Sequence, residues 1–203
     1  MIFFAMALTA GHGAYADTAK QPHSLWTSLA QSSQMIGSLP VTTLDARPVD
    51  MGGMPGWKVI YFWSAECPCV KACEHYSLVP LAEKYAGKVS FYAVDADGFD
   101  LSKPAAELSK EAEAHKLPYE VVLDRTHATT KALGAEVTPE CFLLDPENRI
   151  VYSGMPDDSK RYLLSTGKRG VTDSYLAKAI AQALAGKPIS TPHTELQGCI
   201  IAW

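Results

Sequence analysis

The chain has 203 residues, of which 47% are hydrophobic, and a net charge of −4 at pH 7. This length suits one domain with extensions, and the apolar fraction is sufficient for a core. The modest negative charge, without a basic stripe, argues against a nucleic-acid partner. Three of the five cysteines lie within residues 67–73. Because the cysteine count is odd, at least one thiol lacks an intramolecular partner.

The N-terminus has the composition of a processing signal. Residues 2–10 are apolar but too few to span a bilayer, and Ala14-Tyr15-Ala16 matches the small-residue cleavage pattern. The absence of Lys and Arg from the first ten residues is unusual for such a signal. We predict a signal peptide over residues 1–16, a polar N-terminal arm over residues 17–40, and a periplasmic or otherwise exported protein. No membrane span is expected after processing.

The next segments alternate between strand and helix patterns. Residues 41–51 predict a short strand or hairpin, and the nearly continuous apolar run 57–65 predicts a central strand buried on both faces. Residues 68–86 predict a helix with a kink near Pro80. The later predicted elements are a strand at 89–94, a helix at 103–115, a strand at 119–123, a helix at 126–133, a strand hairpin at 141–144 and 149–153, and a helix at 172–185. This alternation predicts an α/β fold with a mixed, mostly parallel sheet and helices on both faces.

Cys67 stands at the junction between the predicted central strand and the following helix, and Pro68 comes directly after it. Unpaired backbone N–H groups and the helix macrodipole stabilise an anion at a helix N-terminus. A thiolate is the reactive form of cysteine, so this position favours an attacking thiol. The alternative is that Cys67 is one end of a structural disulfide.

A family resemblance follows from two motifs. The run Phe62-Trp63-Ser64-Ala65-Glu66-Cys67 and the later Thr138-Pro139 resemble the nucleophile and cis-proline motifs of the thioredoxin-like superfamily. The chain is most similar to the exported redoxin branch, related to alkyl hydroperoxide reductases and thiol-specific antioxidants. The resemblance implies a thioredoxin-like redoxin domain over residues 41–189, a Cys-containing tail over residues 190–203, and a cis Pro139 beside Cys67. The other shared patterns are Cys67-Pro68, Leu133-Gly134-Ala135, Gly154-Met155-Pro156-Asp157-Asp158 and Gly198-Cys199-Ile200.

The chain departs from two related enzyme patterns. Val70 occupies the place of the second cysteine of thioredoxins, and Ile60 occupies the place of the peroxiredoxin proline. The resemblance therefore implies an exported thiol–disulfide oxidoreductase with Cys67 as nucleophile, and a thiol peroxidase as the alternative. The expected partners are a protein or small-molecule disulfide or thiol substrate and an unknown electron donor.

The other four cysteines have several possible roles. Cys69 and Cys73 are candidates for resolving a mixed disulfide on the nucleophile, which would give a redox-active disulfide. No resident cofactor is expected, but the alternative is a copper-binding chaperone in which Cys69 and Cys73, with His75, hold the soft metal. Cys199, in the tail, is a possible resolving thiol, a structural staple or an intermolecular bridge. Cys141 is expected to be a core residue.

Overall fold

The computed structural model describes residues 35–159, 163, 166–168 and 170–202. The predicted signal peptide and residues 17–34 of the predicted arm lie outside this range. The strands are β1 (Pro40–Thr43), β2 (Pro48–Asp50), β3 (Trp57–Trp63), β4 (Val89–Asp95), β5 (Val121–Leu123), β6 (Val137–Thr138), β7 (Cys141–Leu144), β8 (Ile150–Gly154) and β9 (Cys199–Ile200). The α-helices are α1 (Pro68–Cys73), α2 (Val79–Lys84), α3 (Gly98–Leu101), α4 (Ala105–His115), α5 (Ala128–Leu133) and α6 (Tyr175–Leu184), and Met51–Gly53 forms a 3₁₀ turn.

The main sheet has seven strands in the order β2-β1-β5-β4-β3-β7-β8. The pairs β3–β4 and β4–β5 are parallel, because helices cross over between these strands. The other pairs are antiparallel, and two of them are hairpins at the sheet edges. The prediction of a mixed α/β sheet is therefore confirmed, but the sheet is not mostly parallel: its parallel pairs are the two at the centre, and its four other pairs are antiparallel. A separate ribbon pairs β6 with β9, antiparallel.

Strand β3 is the middle of the core. Its side chains alternate between two buried clusters, with Val59, Tyr61 and Trp63 on one face and Ile60 and Phe62 on the other. Helices α2 and α6 contribute to the first cluster, and α5 contributes to the second. The continuous apolarity of this strand thus has the predicted cause, which is burial on both faces. Within the described chain, no helix has the length and apolarity needed to cross a membrane.

The helix after Cys67 is interrupted where the sequence predicts a kink. A π-helical turn, Glu74–Leu78, lies between α1 and α2, directly before Pro80 in the first turn of α2. A π turn changes the backbone hydrogen-bond pattern, which accommodates a proline that has no N–H to donate.

The same π turn brings the Glu74 side chain into the core. Its carboxylate accepts hydrogen bonds from the Trp63 indole (2.8 Å) and the Tyr61 hydroxyl (3.0 Å), and it lies 2.5 Å from His115 Nδ1. These contacts fix the end of β3 against the helix that begins after Cys67.

The final helix is shorter than its pattern predicts. It begins at Tyr175 rather than at residue 172, because the backbone of its N-cap residue, Ser174, is extended (φ −98°, ψ 95°). The backbone N–H groups of Thr172 and Asp173 donate to the carboxylate of Asp158 at 2.8 and 3.0 Å. Helix α3 was not predicted, and Pro104 lies just before α4 as its N-cap rather than in its first turn.

Asp95 gives the fold a pH-dependent stability. It ends β4, is fully buried, and has a pKa raised to about 8 by burial and by the nearby Asp100. Since an unfolded aspartate has a pKa of about 3.9, the folded state holds one more proton between these values. The stability supplied by this proton is complete below about pH 4 and is lost as pH rises to about pH 8. Glu140, also buried with a pKa raised to about 8, acts in the same direction.

We expect Asp95→Asn to flatten the fall in stability with pH. One linked proton corresponds to about 1.4 kcal/mol per pH unit. The fall of the unfolding free energy with pH should therefore become less steep by roughly that amount. Urea unfolding between about pH 5 and pH 7 measures the slope. Glu113→Gln, at an exposed carboxyl on α4, is the control and should leave the slope unchanged. An Asp95→Asn slope equal to that of the wild type would contradict the assignment.

Candidate active site

Cys67 lies where the chain passes from β3 into α1. It is the N-cap residue of α1, with φ −73° and ψ 114°, and Pro68 is the first helical residue. The backbone N–H of Cys67 donates to the Ser64 carbonyl at 3.2 Å, which closes the connecting turn. The structure therefore places this thiol at a helix N-terminus, as the sequence predicts.

A buried carboxylate holds the turn before Cys67. The backbone N–H of Ala65 donates to Asp100 Oδ2 at 3.1 Å, and Lys103 Nζ lies 3.0 Å from Asp100 Oδ1. Asp100 is fully buried in α3. No sequence signal identifies Asp100, because it lies in an unpredicted helix and has no motif around it.

The nearest thiol to Cys67 comes from the C-terminal tail. The Sγ atoms of Cys67 and Cys199 are 2.7 Å apart, and Cys67 Sγ lies 3.4 Å from the carbonyl oxygen of Thr138. A disulfide bond measures about 2.05 Å, and none of the five cysteines forms a disulfide in the described chain. Cys69 completes the group, since the sulfur atoms of Cys67, Cys69 and Cys199 all lie within 4.8 Å of one another. The predicted disulfide is therefore absent from this state of the protein.

The tail is docked on the domain by backbone pairing. Cys199 pairs with Thr138 in the β6–β9 ribbon, the N–H of Ile201 donates to the Glu136 carbonyl at 3.0 Å, and Ile201 is buried. Gly198 makes this approach possible, because a Cβ built on it would lie 2.4 Å from the Thr138 oxygen. A structural disulfide at Cys199 is therefore not needed to hold the tail in place.

The proline of the Thr138–Pro139 motif follows β6. The peptide bond between Thr138 and Pro139 is cis, as the resemblance implies, and the Thr138 carbonyl faces the Cys67 sulfur. Glu140, next in the chain, fixes this loop: its Oε2 accepts from the Glu136 N–H at 2.9 Å, and its carbonyl accepts from the Phe62 N–H. No sequence signal other than its adjacency to Pro139 identifies Glu140.

Cys73 and His75 lie apart from this group. Cys73 Sγ is 3.5 Å from Asp157 Oδ1 and 3.4 Å from Ser159 Oγ, and its side chain is buried. His75 lines a cavity of about 540 Å³ next to α1 and α4. In the described residues, the only group of three or more potential metal ligands excludes both. The predicted clustering of Cys69, Cys73 and His75 is therefore not observed, because the loop after β8 provides polar partners for Cys73.

Cys141 has the surroundings of a core residue. It is fully buried in β7, and its thiol donates to the Gly154 carbonyl at 3.1 Å. Its complete burial fits the structural role expected from the sequence.

Comparison with known proteins identifies the family. The model of the Redoxin family matches residues 28–168. The chain belongs to the Redoxin family. Family membership supports an oxidoreductase activity and agrees with the thioredoxin-like fold. No functionally curated protein shows significant sequence similarity to this redoxin.

Solved structures similar to this redoxin agree on the fold. An uncharacterized conserved protein from Geobacillus kaustophilus is 27% identical with a TM-score of 0.73, and the alignment covers 84% of this chain and 91% of that one. A hypothetical protein from Sinorhizobium meliloti 1021 is 25% identical with a TM-score of 0.72, with coverage of 84% and 93%. StoA from Bacillus subtilis, 15% identical with a TM-score of 0.50 and coverage of 70% and 95%, shares the fold.

The thiols of the redoxin differ in acidity. Hydrogen bonds with Cys69 and Cys199 lower the pKa of the Cys67 thiol to about 4, although its burial acts in the opposite direction. Burial raises the pKa values of Cys73 and Cys141 well above the ordinary range of thiols. Of these three thiols, Cys67 is therefore the one that is ionised at neutral pH.

We expect dilute iodoacetamide to modify Cys67 before Cys73 or Cys141 in the reduced redoxin. A thiolate reacts while a thiol does not, so the preference should persist down to about pH 6. Mass spectrometry of tryptic peptides after short reaction times measures the order. The same reaction on urea-unfolded protein is the control, where the five thiols should react at similar rates. If Cys199 is modified first in the folded protein, Cys67 is not the most reactive thiol.

Proposed function

We propose that this redoxin is a thiol–disulfide oxidoreductase in which Cys67 and Cys199 form the redox-active pair. The observation that carries the proposal is the 2.7 Å separation of the two sulfur atoms, which are 132 residues apart in the chain. A contact between such distant residues requires the tail to be docked, and Gly198 and the β6–β9 pairing dock it. The family supports the general reaction class.

The reaction takes place in two exchanges. The Cys67 thiolate attacks one sulfur of a substrate disulfide, forming a Cys67 mixed disulfide and releasing one substrate thiolate. The Cys199 thiol, deprotonated as it reacts, then attacks the Cys67 sulfur and releases the second substrate thiolate. The substrate gains two electrons, and the enzyme is left with a Cys67–Cys199 disulfide. The proton lost by Cys199 goes to one product thiolate, and the other product thiolate takes its proton from solvent. An external dithiol donor restores the reduced pair.

Substrate access requires the tail to move. Cys67 is only 4% exposed. Strand β9, which carries Cys199, covers it and is held by pairing with β6, and each of these strands is two residues long. So short a ribbon has few backbone hydrogen bonds to break. We propose that the tail leaves β6 to admit the substrate and returns to resolve the mixed disulfide.

Cys199, rather than Cys73, is the resolving thiol in this proposal. Cys73 contacts Asp157 and Ser159, lies outside the group of three sulfur atoms and has a raised pKa. Cys69 lies within the sulfur group but would close a strained Cys-x-Cys ring with Cys67. We therefore assign Cys69 to supporting the Cys67 thiolate through its hydrogen bond.

We also propose that the protein acts in an exported, disulfide-permissive compartment. The support is the Ala14-Tyr15-Ala16 cleavage pattern after an apolar segment. N-terminal sequencing of protein purified from the native host is the test. We expect a mature chain that begins near Asp17, whereas an intact Met1 on the purified protein would contradict export.

Disulfide mapping tests the redox pair. Reduced protein is mixed with one equivalent of a peptide disulfide, quenched with acid, alkylated and digested. We expect the released peptide thiols together with a Cys67–Cys199 linkage. A Cys67–Cys69 or Cys69–Cys73 linkage would refute the assignment of Cys199. Rapid oxidation by hydrogen peroxide without exchange with the peptide would support the peroxidase alternative instead.

A further inference from the structure

We propose that Cys67, Cys69 and Cys199 of the reduced protein bind one Cu(I) ion through their three thiolates. The sulfur atoms of these residues lie within 4.8 Å of one another. They are the only group of three or more possible metal ligands in the part of the chain that the structure describes. The proposal goes beyond the oxidoreductase function, since it requires no substrate and involves Cys69 as a ligand.

The composition of the group selects a soft metal ion. Thiolates favour Cu(I) and Zn²⁺ over hard cations such as Mg²⁺ and Ca²⁺. A structural zinc site has four protein ligands, and a catalytic one adds water to three. The group holds three sulfur atoms and, among the described residues, neither a histidine nor a carboxylate. Three sulfur ligands alone match the trigonal coordination that Cu(I) accepts, so copper is the better fit.

The geometry requires a small adjustment of the tail. Metal–sulfur bonds of about 2.3 Å in a trigonal site place the sulfur atoms about 4 Å apart. The separation of Cys67 and Cys199, now 2.7 Å, must therefore increase by roughly 1 Å. Cys199 lies in a two-residue strand near the chain end, so it is the ligand that is able to shift.

The surroundings suit an anionic complex. Three thiolates and Cu(I) carry a net charge of −2, and the backbone N–H groups at the start of a helical stretch running from Pro68 to Lys84 stabilise negative charge. Cys67 and Cys69 are buried, while Cys199 is partly exposed. The buried sulfurs exclude competing water, and the exposed one provides an entry path for the ion.

Metal binding and disulfide formation exclude each other at this site. A Cys67–Cys199 disulfide removes two of the three ligands, so oxidation releases the ion. The site differs from the set predicted from sequence, because it uses Cys67 and Cys199 in place of Cys73 and His75.

A competition titration tests the site on the full chain. Anaerobic, fully reduced protein is titrated into the coloured Cu(I) complex of bicinchoninate, and X-ray absorption of the product counts the sulfur neighbours. We expect one Cu(I) per chain with three sulfur ligands. We expect Zn²⁺ to bind the site more weakly than Cu(I) does. Cys69→Ser should lower the Cu(I) affinity by about a hundredfold because one of three thiolate ligands is lost. Cys73→Ser, matched in chemistry but outside the group, should bind like the wild type.

The outcomes separate this proposal from the oxidoreductase. Failure to take Cu(I) from bicinchoninate, a preference for Zn²⁺, or an unchanged affinity in Cys69→Ser would overturn the metal site and leave the Cys67–Cys199 disulfide untouched. Cys199→Ser provides a second ligand variant in case Cys69→Ser does not fold, as judged by circular dichroism. An unchanged affinity in Cys199→Ser would also overturn the site.

Discussion

Cys199→Ser should convert the enzyme from a catalyst into a trap for its substrate. Cys67 remains able to attack a disulfide, but Cys69, the remaining thiol of the group, would release the mixed disulfide only by closing a strained Cys-x-Cys ring with Cys67. Docking places the Cys199 sulfur 2.7 Å from its target. Intramolecular reactions of this kind have effective molarities far above those of free thiols, so turnover should fall by about a hundredfold or more. Turnover of a fluorescent peptide disulfide with an excess of dithiol donor measures the loss, and intact-mass spectrometry detects the trapped adduct.

Two matched substitutions identify the source of this effect. Cys67→Ser should lose turnover and form no adduct, because it lacks the attacking thiol. Cys141→Ser changes a cysteine that lies fully buried in β7, outside the site, and should retain wild-type turnover. Normal turnover by Cys199→Ser would show that another thiol resolves the intermediate.

Gly198→Ala should weaken tail docking without altering any thiol. The new methyl group would lie 2.4 Å from the Thr138 carbonyl oxygen and 3.0 Å from Val137 Cβ, so β9 must move away from β6. Such overpacking costs about 1–3 kcal/mol, which is a roughly 5- to 150-fold decrease in the docking equilibrium constant. We expect resolution to slow by up to this factor, while alkylation of Cys67 becomes faster because its cover is displaced. Stopped-flow release of the second substrate thiol and timed alkylation measure the two rates.

Gly53→Ala is the control for the glycine substitution. Gly53 is exposed, and a Cβ at this position meets nothing within 4 Å. It should leave both rates at their wild-type values. If Gly198→Ala accelerates neither alkylation nor accumulation of the mixed disulfide, the tail does not control access to Cys67.

The sequence predicts much of the fold because the dominant signals are local. The apolar run of β3 requires burial on both faces, and alternating strand and helix patterns require crossover connections. Both features hold in the structure. One difference occurs at the start of the final helix, where the sequence pattern begins three residues earlier than the helix does. Thr172 and Asp173 donate to Asp158, and the extended backbone of Ser174 delays the start of α6 to Tyr175.

The sequence by itself determines that Cys67 begins a helix after a buried strand, since a β-branched and aromatic run followed by Cys-Pro has this local consequence. It does not determine which thiol faces Cys67. The four-residue spacing of Cys69 and Cys73 predicts that they share a helix face. In the structure, however, Cys73 contacts Asp157 and Ser159, which follow β8. Cys199 is 132 residues from Cys67 and reaches it through a two-residue ribbon that depends on Gly198. Contacts between distant segments are fixed by packing and backbone pairing across the whole domain, so only the tertiary structure decides which thiols meet.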